Sequence, residues 1–129
     1  MREPGNISSV MHTTAQFKTQ SSFEAVAHAC HECQDCCLRC MVHCLEMGGR
    51  HASREHQTTM TDCAAICGIT HDFLHRESPH AKHLCVECAE ICNACSAACS
   101  RLAMGDEMMT ECAKMCHDCA TACKNMKAD

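Results

Sequence analysis

Residues Cys30 to Cys44 read CHECQDCCLRCMVHC, six cysteines in fifteen residues with no proline, glycine or aromatic among them. Cys30, Cys33, Cys37, Cys40 and Cys44, continued by Met47, recur at steps of three and four. That is the period of one stripe of an α-helix. Cys36 flanks the stripe and meets Cys40 at i+4. The same period returns further along the chain. It runs through His56, Met60, Cys63, Cys67 and His71, then Cys85, Cys88, Cys92, Cys95 and Cys99. The last row is Met109, Cys112, Cys116, Cys119, Cys123 and Met126.

Breakers separate these rows: Gly48-Gly49, Ser78-Pro79 and Gly105-Asp106. The pattern predicts helices over about 22–47, 51–76, 79–104 and 106–126. Ser21 with Glu24 reads as a capping box. Ser78 with Pro79 reads as an N-cap followed by proline at the first helical position. Gly105 suits a left-handed helix end, and Asp106 a cap. Gly68, inside the second row, suits a close backbone approach. Four helices of similar length joined by short turns predict an all-α, antiparallel up-down-up-down four-helix bundle over residues 21–129. Residues 1–20 read as an arm or short helix, with Ile7, Val10, Met11, Thr14 and Phe17 at helical spacing.

Composition agrees with one domain built on sulfur. Among 129 residues, Leu, Ile, Val and Phe number only sixteen, a fraction that alone would suggest disorder. Seventeen cysteines and ten methionines turn the balance toward a packed core, because free Cys packs as a small hydrophobe and Met fills gaps. Net charge is −5, with no Trp or Tyr and no basic block, which argues against a nucleic-acid partner. No apolar run approaches the roughly eighteen residues of a membrane helix. The N-terminus carries no apolar export core and no twin arginine, so cytoplasmic location is the default expectation.

The thiols have several readings. Seventeen is odd, and a straight helix bridges CxxC awkwardly, so a disulfide scaffold fits poorly. A plain packing role suits one or two cysteines, not full rows on several helices. Thioredoxin-like chemistry needs a strand–helix context that is absent from the pattern. Metal binding remains. CxxxC occurs eight times, at 33–37, 36–40, 40–44, 63–67, 88–92, 95–99, 112–116 and 119–123. Side chains at that spacing lie about 5–6 Å apart at Cβ. Two sulfurs about 2.3 Å from one ion stand about 4.6 Å apart when linear, so neighbours on one helix can share it. All seventeen are candidate ligands: Cys30, Cys33, Cys36, Cys37, Cys40, Cys44, Cys63, Cys67, Cys85, Cys88, Cys92, Cys95, Cys99, Cys112, Cys116, Cys119 and Cys123.

Soft thiolates select Cu(I), zinc or iron–sulfur clusters. One Cu(I) per thiolate leaves the core neutral. About four separate zinc Cys₄ sites would bury uncompensated negative charge, which costs several kcal/mol per ion. Bridged zinc clusters lessen that penalty without removing it. Iron–sulfur ligation usually draws on loops around a compact cluster, often with Cys-Pro, and no Cys-Pro occurs. The reading is Cu(I) bound by the core thiolates, without catalysis. The alternatives are an iron–sulfur protein and a zinc or general metallothionein-like buffer.

The stretches CHECQDCCLRCMVHC, DCAAIC, CVECAEICNACSAAC and ECAKMCHDCATAC, spanning about residues 22–126, resemble in combination the bacterial copper storage proteins. The resemblance implies a Cys-lined bundle, high-capacity Cu(I) storage with many ions per chain, a homotetramer and membership of the cytosolic branch. A copper chaperone or exporter is the partner expected besides copper itself.

The bundle order segregates two ends. One gathers Met41, Met47, His51, Met104, Met108 and Met109, with His56 and Met60 slightly inside. The other gathers His28, His31, His71, His75, His80 and His83. Thioether and imidazole can pass Cu(I) onward to thiolate. The Met end is the expected mouth, because the N-terminal arm enters beside the His end. Asp62 and Asp118 read as solvated helix faces.

Overall fold

A computed structural model describes the backbone of residues 14–127 and the side chains of residues 22–126. Among the described residues the chain forms four α-helices: α1 (Thr14–Met47), α2 (Arg54–His75), α3 (Ala81–Ala103) and α4 (Glu107–Lys127). A 3-10 turn, Gly49–Ala52, precedes α2. The helix α1 packs on α2 and α4, and α3 packs on the same two, which closes a four-cornered ring. Short turns make neighbours antiparallel, the up-down-up-down order expected.

The turns end the helices through backbone that ordinary residues avoid. Gly48 and Gly49 have φ of +74° and +56°, in the left-handed region. The 3-10 turn takes up residues 49–52, so α2 starts at Arg54 and not at 51. Its cap is Ser53, whose Oγ accepts the His56 N–H at 3.2 Å. Ser78 Oγ accepts the His80 N–H at 3.1 Å, yet regular helix starts at Ala81 rather than at Pro79. Asp106 caps α4 as expected, accepting the Met109 N–H at 3.0 Å.

Other expectations change as well. The chain is helical from Thr14, so Ser21 lies inside α1 and not at its start. No proline or glycine falls between Thr14 and Ser21, and a capping-box pattern starts a helix only where the backbone before it has left helical geometry. Residues 14–20 therefore continue α1. Residues 1–13, with Ile7, Val10 and Met11, lie outside the described residues. In α2 the inward row runs from Cys67 to Thr70 and Leu74, both fully buried, while His71 turns to the half-buried flank.

Gly68 makes room for a side chain and not for a neighbouring backbone. A Cβ there would stand 2.3 Å from Gln34 Nε2, which donates to the Ala64 carbonyl at 3.1 Å.

All seventeen cysteines are buried, and all are free thiols. His56 and Thr70 are the buried polar side chains among the described residues, and no lysine, arginine, aspartate or glutamate joins them. The core is a column of sulfur walled by helix backbone and alanine.

Candidate metal centre

The sulfur atoms gather in overlapping groups. Cys33, Cys37, Cys63 and Cys116 form one in which all sulfurs lie within 4.8 Å of one another. Cys33, Cys63, Cys67 and Cys92 form the next. Cys67, Cys88, Cys92 and Cys119 form a third, and Cys30, Cys88, Cys119 and Cys123 a fourth. Consecutive groups share two members. A fifth group, Cys40, Cys99 and Cys112, joins the ladder through Cys37, whose sulfur is 3.9 Å from that of Cys112. The ladder draws on all four helices and runs along the bundle axis. Cys36, Cys44, Cys85 and Cys95 are buried beside it, outside these tight groups.

Contacting sulfurs are 3.5–4.0 Å apart, as at Cys67–Cys92 and Cys40–Cys44. That is shorter than the roughly 4.6 Å of a linear pair. Three sulfurs about 2.3 Å from a central ion stand about 4.0 Å apart, and four about 3.8 Å. The packing therefore suits ions shared among three or four thiolates. Sharing also bears on the metal. At most two of the four-membered groups are disjoint, for example Cys30, Cys88, Cys119, Cys123 with Cys33, Cys37, Cys63, Cys116. Isolated Cys₄ zinc sites would thus occupy eight of the seventeen thiols and leave the rest idle. A monovalent soft ion bridging from group to group uses the whole ladder and leaves no net charge in a core that has no cation of its own.

The sequence model of the copper storage proteins matches residues 19–128. The chain belongs to the copper storage protein family. Three solved structures are similar to it. A protein of Nitrosospira multiformis is 38 % identical, covers 84 % of this chain and 96 % of its own, and has a TM-score of 0.78. The copper storage protein BsCsp3 in its Cu(I)-bound form is 32 % identical, with coverages of 82 % and 98 % and a TM-score of 0.76. A cytosolic copper storage protein from Streptomyces lividans, solved with five coppers, is 25 % identical, with coverages of 86 % and 96 % and a TM-score of 0.75.

Within the core the thiols control one another's protons. A thiolate at Cys33 would receive S–H bonds from Cys116, Cys119, Cys37 and Cys63, which lower its pKa. Cys63, Cys88 and Cys112 are lowered in the same way, by donation first from Cys116, Cys119 and Cys116 respectively. Of these donors Cys37 and Cys116 are themselves held protonated, while Cys63 and Cys119 are lowered by donation from their own neighbours. Donation to neighbouring sulfur, reinforced by burial, pushes Cys30, Cys67 and Cys92 far above the ordinary thiol range. At Cys44 burial itself is the main cause of the rise.

The two ends of the ladder differ. At the end where α1 finishes and α4 begins, the innermost residues all carry donor atoms. Met109 Sδ lies 3.2 Å from Cys44 Sγ and 3.8 Å from Cys40 Sγ. Met60 is fully buried. His56 is 4 % exposed, and neither of its ring nitrogens has a hydrogen-bond partner. Burial lowers its pKa, followed by repulsion from His51, so the ring is neutral with a free lone pair. Of the other expected residues at this end, Met41 and Met108 are half-buried against the core. His51 is tied to the Leu102 carbonyl at 3.1 Å. Met47 and Met104 face solvent, at 50 % and 92 % exposure. One pair has no counterpart in the sequence pattern. His43 Nε2 meets Asp106 Oδ2 at 2.8 Å, part-buried beside Cys44. Only its place one residue before Cys44 hints at it.

At the opposite end Val26, Leu74 and Ala81 close the column, with Phe23 and Phe73 packed over them. Among the described residues of this cap, Met126 is the one potential metal ligand. His80 and His83 are exposed. Asp62 is exposed, and Asp118 pairs with Lys114 at 2.9 Å on the outer face, as expected of solvated positions.

Proposed function

We propose that the chain stores Cu(I) in quantity on its core thiolates, without catalysis, and that all seventeen cysteines serve as ligands. The observation that carries this reading is the ladder of sulfur groups: the four four-membered groups share two thiolates from one to the next, and the fifth adjoins them through the Cys37–Cys112 contact. An ion bound in one group is already within reach of ligands of the following group. It can travel the bundle by exchanging one bond at a time, and each thiol that accepts copper releases about one proton.

Copper enters at the Met end, in this reading. His56, Met60 and Met109 would receive the ion and hand it to Cys44 and Cys40. Met41, Met108 and His51 form the outer rim, and Met47 and Met104 stand further out as exposed thioethers. The aliphatic cap of Val26 and Leu74 supports a closed far end. The metal-free bundle folds before loading, because protonated thiols pack as small apolar groups.

The protein works in the cytoplasm, in line with the description of the Streptomyces relative. Self-association as a homotetramer is supported by Leu38, Val42 and Leu45, an exposed apolar stripe on the outer side of α1. A copper chaperone or exporter would supply or receive the metal.

The deciding experiment is an anaerobic Cu(I) titration of reduced protein against a strong Cu(I) chelator, beside a parallel zinc titration. Uptake of many Cu(I) equivalents, with far weaker retention of zinc, is expected. Saturation at two or three cuprous ions would defeat the reading.

A further inference from the structure

Outside the sulfur column, a cavity of about 260 Å³ opens in the surface groove between α1 and α2. It is lined by Glu24, Ala27, His28, His31, His71 and His75. We propose that these four histidines, with Glu24 at the rim, form a separate site for one borderline divalent cation of the Zn(II) class. Copper storage in the core neither needs nor explains it.

The spacing follows from helix geometry. His71 and His75 are i,i+4 on α2, and His31 of α1 faces them across the groove. Ring centroids are 5.5 Å apart for His31–His71 and 5.3 Å for His71–His75. An imidazole nitrogen binds zinc at about 2.0–2.1 Å, which puts each ligated ring centre about 3.2 Å from the ion and two such centres about 5.2 Å apart at a tetrahedral angle. These two pairs of ring centres therefore stand at the separation of ligated rings, while the nitrogens do not yet converge: among the described residues, only cysteines bring three or more ligand atoms within 4.8 Å of one another. His71 and His75 are stacked at 18°, so their planes must turn to aim nitrogen atoms inward. The terminal torsion of histidine is soft enough for that.

A second feature orients one of the rings. His71 Nδ1 meets Asp72 Oδ1 at 3.0 Å, outside the cavity lining. Such a contact places the proton on Nδ1 and leaves Nε2 free as a ligand, as a carboxylate does behind a metal-bound histidine. His28, 4.0 Å from Glu32, can reach the site from the solvent side. The donor set is imidazole and carboxylate with no sulfur. It is harder than the core and favours a divalent ion over Cu(I).

The test uses protein loaded with Cu(I), so that the thiols are occupied, and Co(II) as a coloured stand-in for Zn(II). One equivalent of Co(II) should bind with weak visible d–d bands and no intense sulfur-to-cobalt charge transfer, and Zn(II) should displace it. Each of His71→Ala and His75→Ala should weaken Co(II) at least about tenfold. The double variant should abolish the site while taking up Cu(I) like the parent. A His80→Ala/His83→Ala control should bind Co(II) as the parent does. Failure to bind Co(II), sulfur charge-transfer bands, or equal Co(II) affinity in the double variant would overturn the proposal.

Discussion

The most demanding consequence of a sulfur core concerns alkaline pH. Eleven thiols have pKa values raised in the fold: Cys30, Cys36, Cys37, Cys40, Cys44, Cys67, Cys85, Cys92, Cys99, Cys116 and Cys123. In the unfolded chain each would ionise near its ordinary pKa of about 8.5. Below that pH both states hold these protons, and the stability they contribute is fully present. Above it the unfolded chain sheds protons that the folded chain keeps. Stability then falls by up to about 1.4 kcal/mol per thiol per pH unit. If only four of the eleven behave as fully independent groups, the slope is about 5–6 kcal/mol per pH unit, comparable with the whole stability of a small domain. The metal-free, reduced protein should therefore lose its helical signal steeply between about pH 8.5 and 10. The Cu(I)-loaded form has no thiol protons to lose and should stay folded over the same range. Anaerobic circular dichroism melts of both forms, with a non-thiol reductant, read this directly. A metal-free melting temperature that stays level from about pH 7.5 to 10 would refute the reasoning. It would mean that the folded core ionises as easily as the unfolded chain.

Four further outcomes follow from particular contacts. His56→Leu should raise the metal-free melting temperature, since a buried unpartnered polar ring costs about 1–3 kcal/mol, while slowing Cu(I) uptake in stopped-flow mixing. Leu74→Ala should destabilise the metal-free bundle by about 2–5 kcal/mol in urea melts, because the fully buried side chain closes the far end. Asp106→Ala should cost about 1 kcal/mol through the lost α4 cap, measured the same way. Gly68→Ala should change stability by less than about 1 kcal/mol. It forfeits the Gln34–Ala64 hydrogen bond but gains a similar amount in helix propensity, and a loss above about 3 kcal/mol would show that Gln34 cannot swing aside.

The steps of three and four between cysteines determined, without coordinates, that four helices form and that their sulfurs face inward. Helical period is a local property, and a residue type repeated at that period can share only one face. The same local logic placed the Asp106 cap and the glycine turn at 48–49. It failed at Ser21, because a capping pattern reads alike whether or not the chain before it is already helical. It also failed at His71, since steps of three and four both continue a row and packing at the far end chose Thr70 and Leu74.

What no spacing on a single helix could supply is the register between helices. That register makes Cys33 and Cys63 members of two groups at once, leaves at most two independent Cys₄ sets, and brings His43 to Asp106 across sixty-three positions of chain. It also lays His31 against His71 on the outer groove. Those pairings depend on how far each rod slides and turns against its neighbours. That is settled by the summed packing of the whole core and is written in no one segment of the sequence.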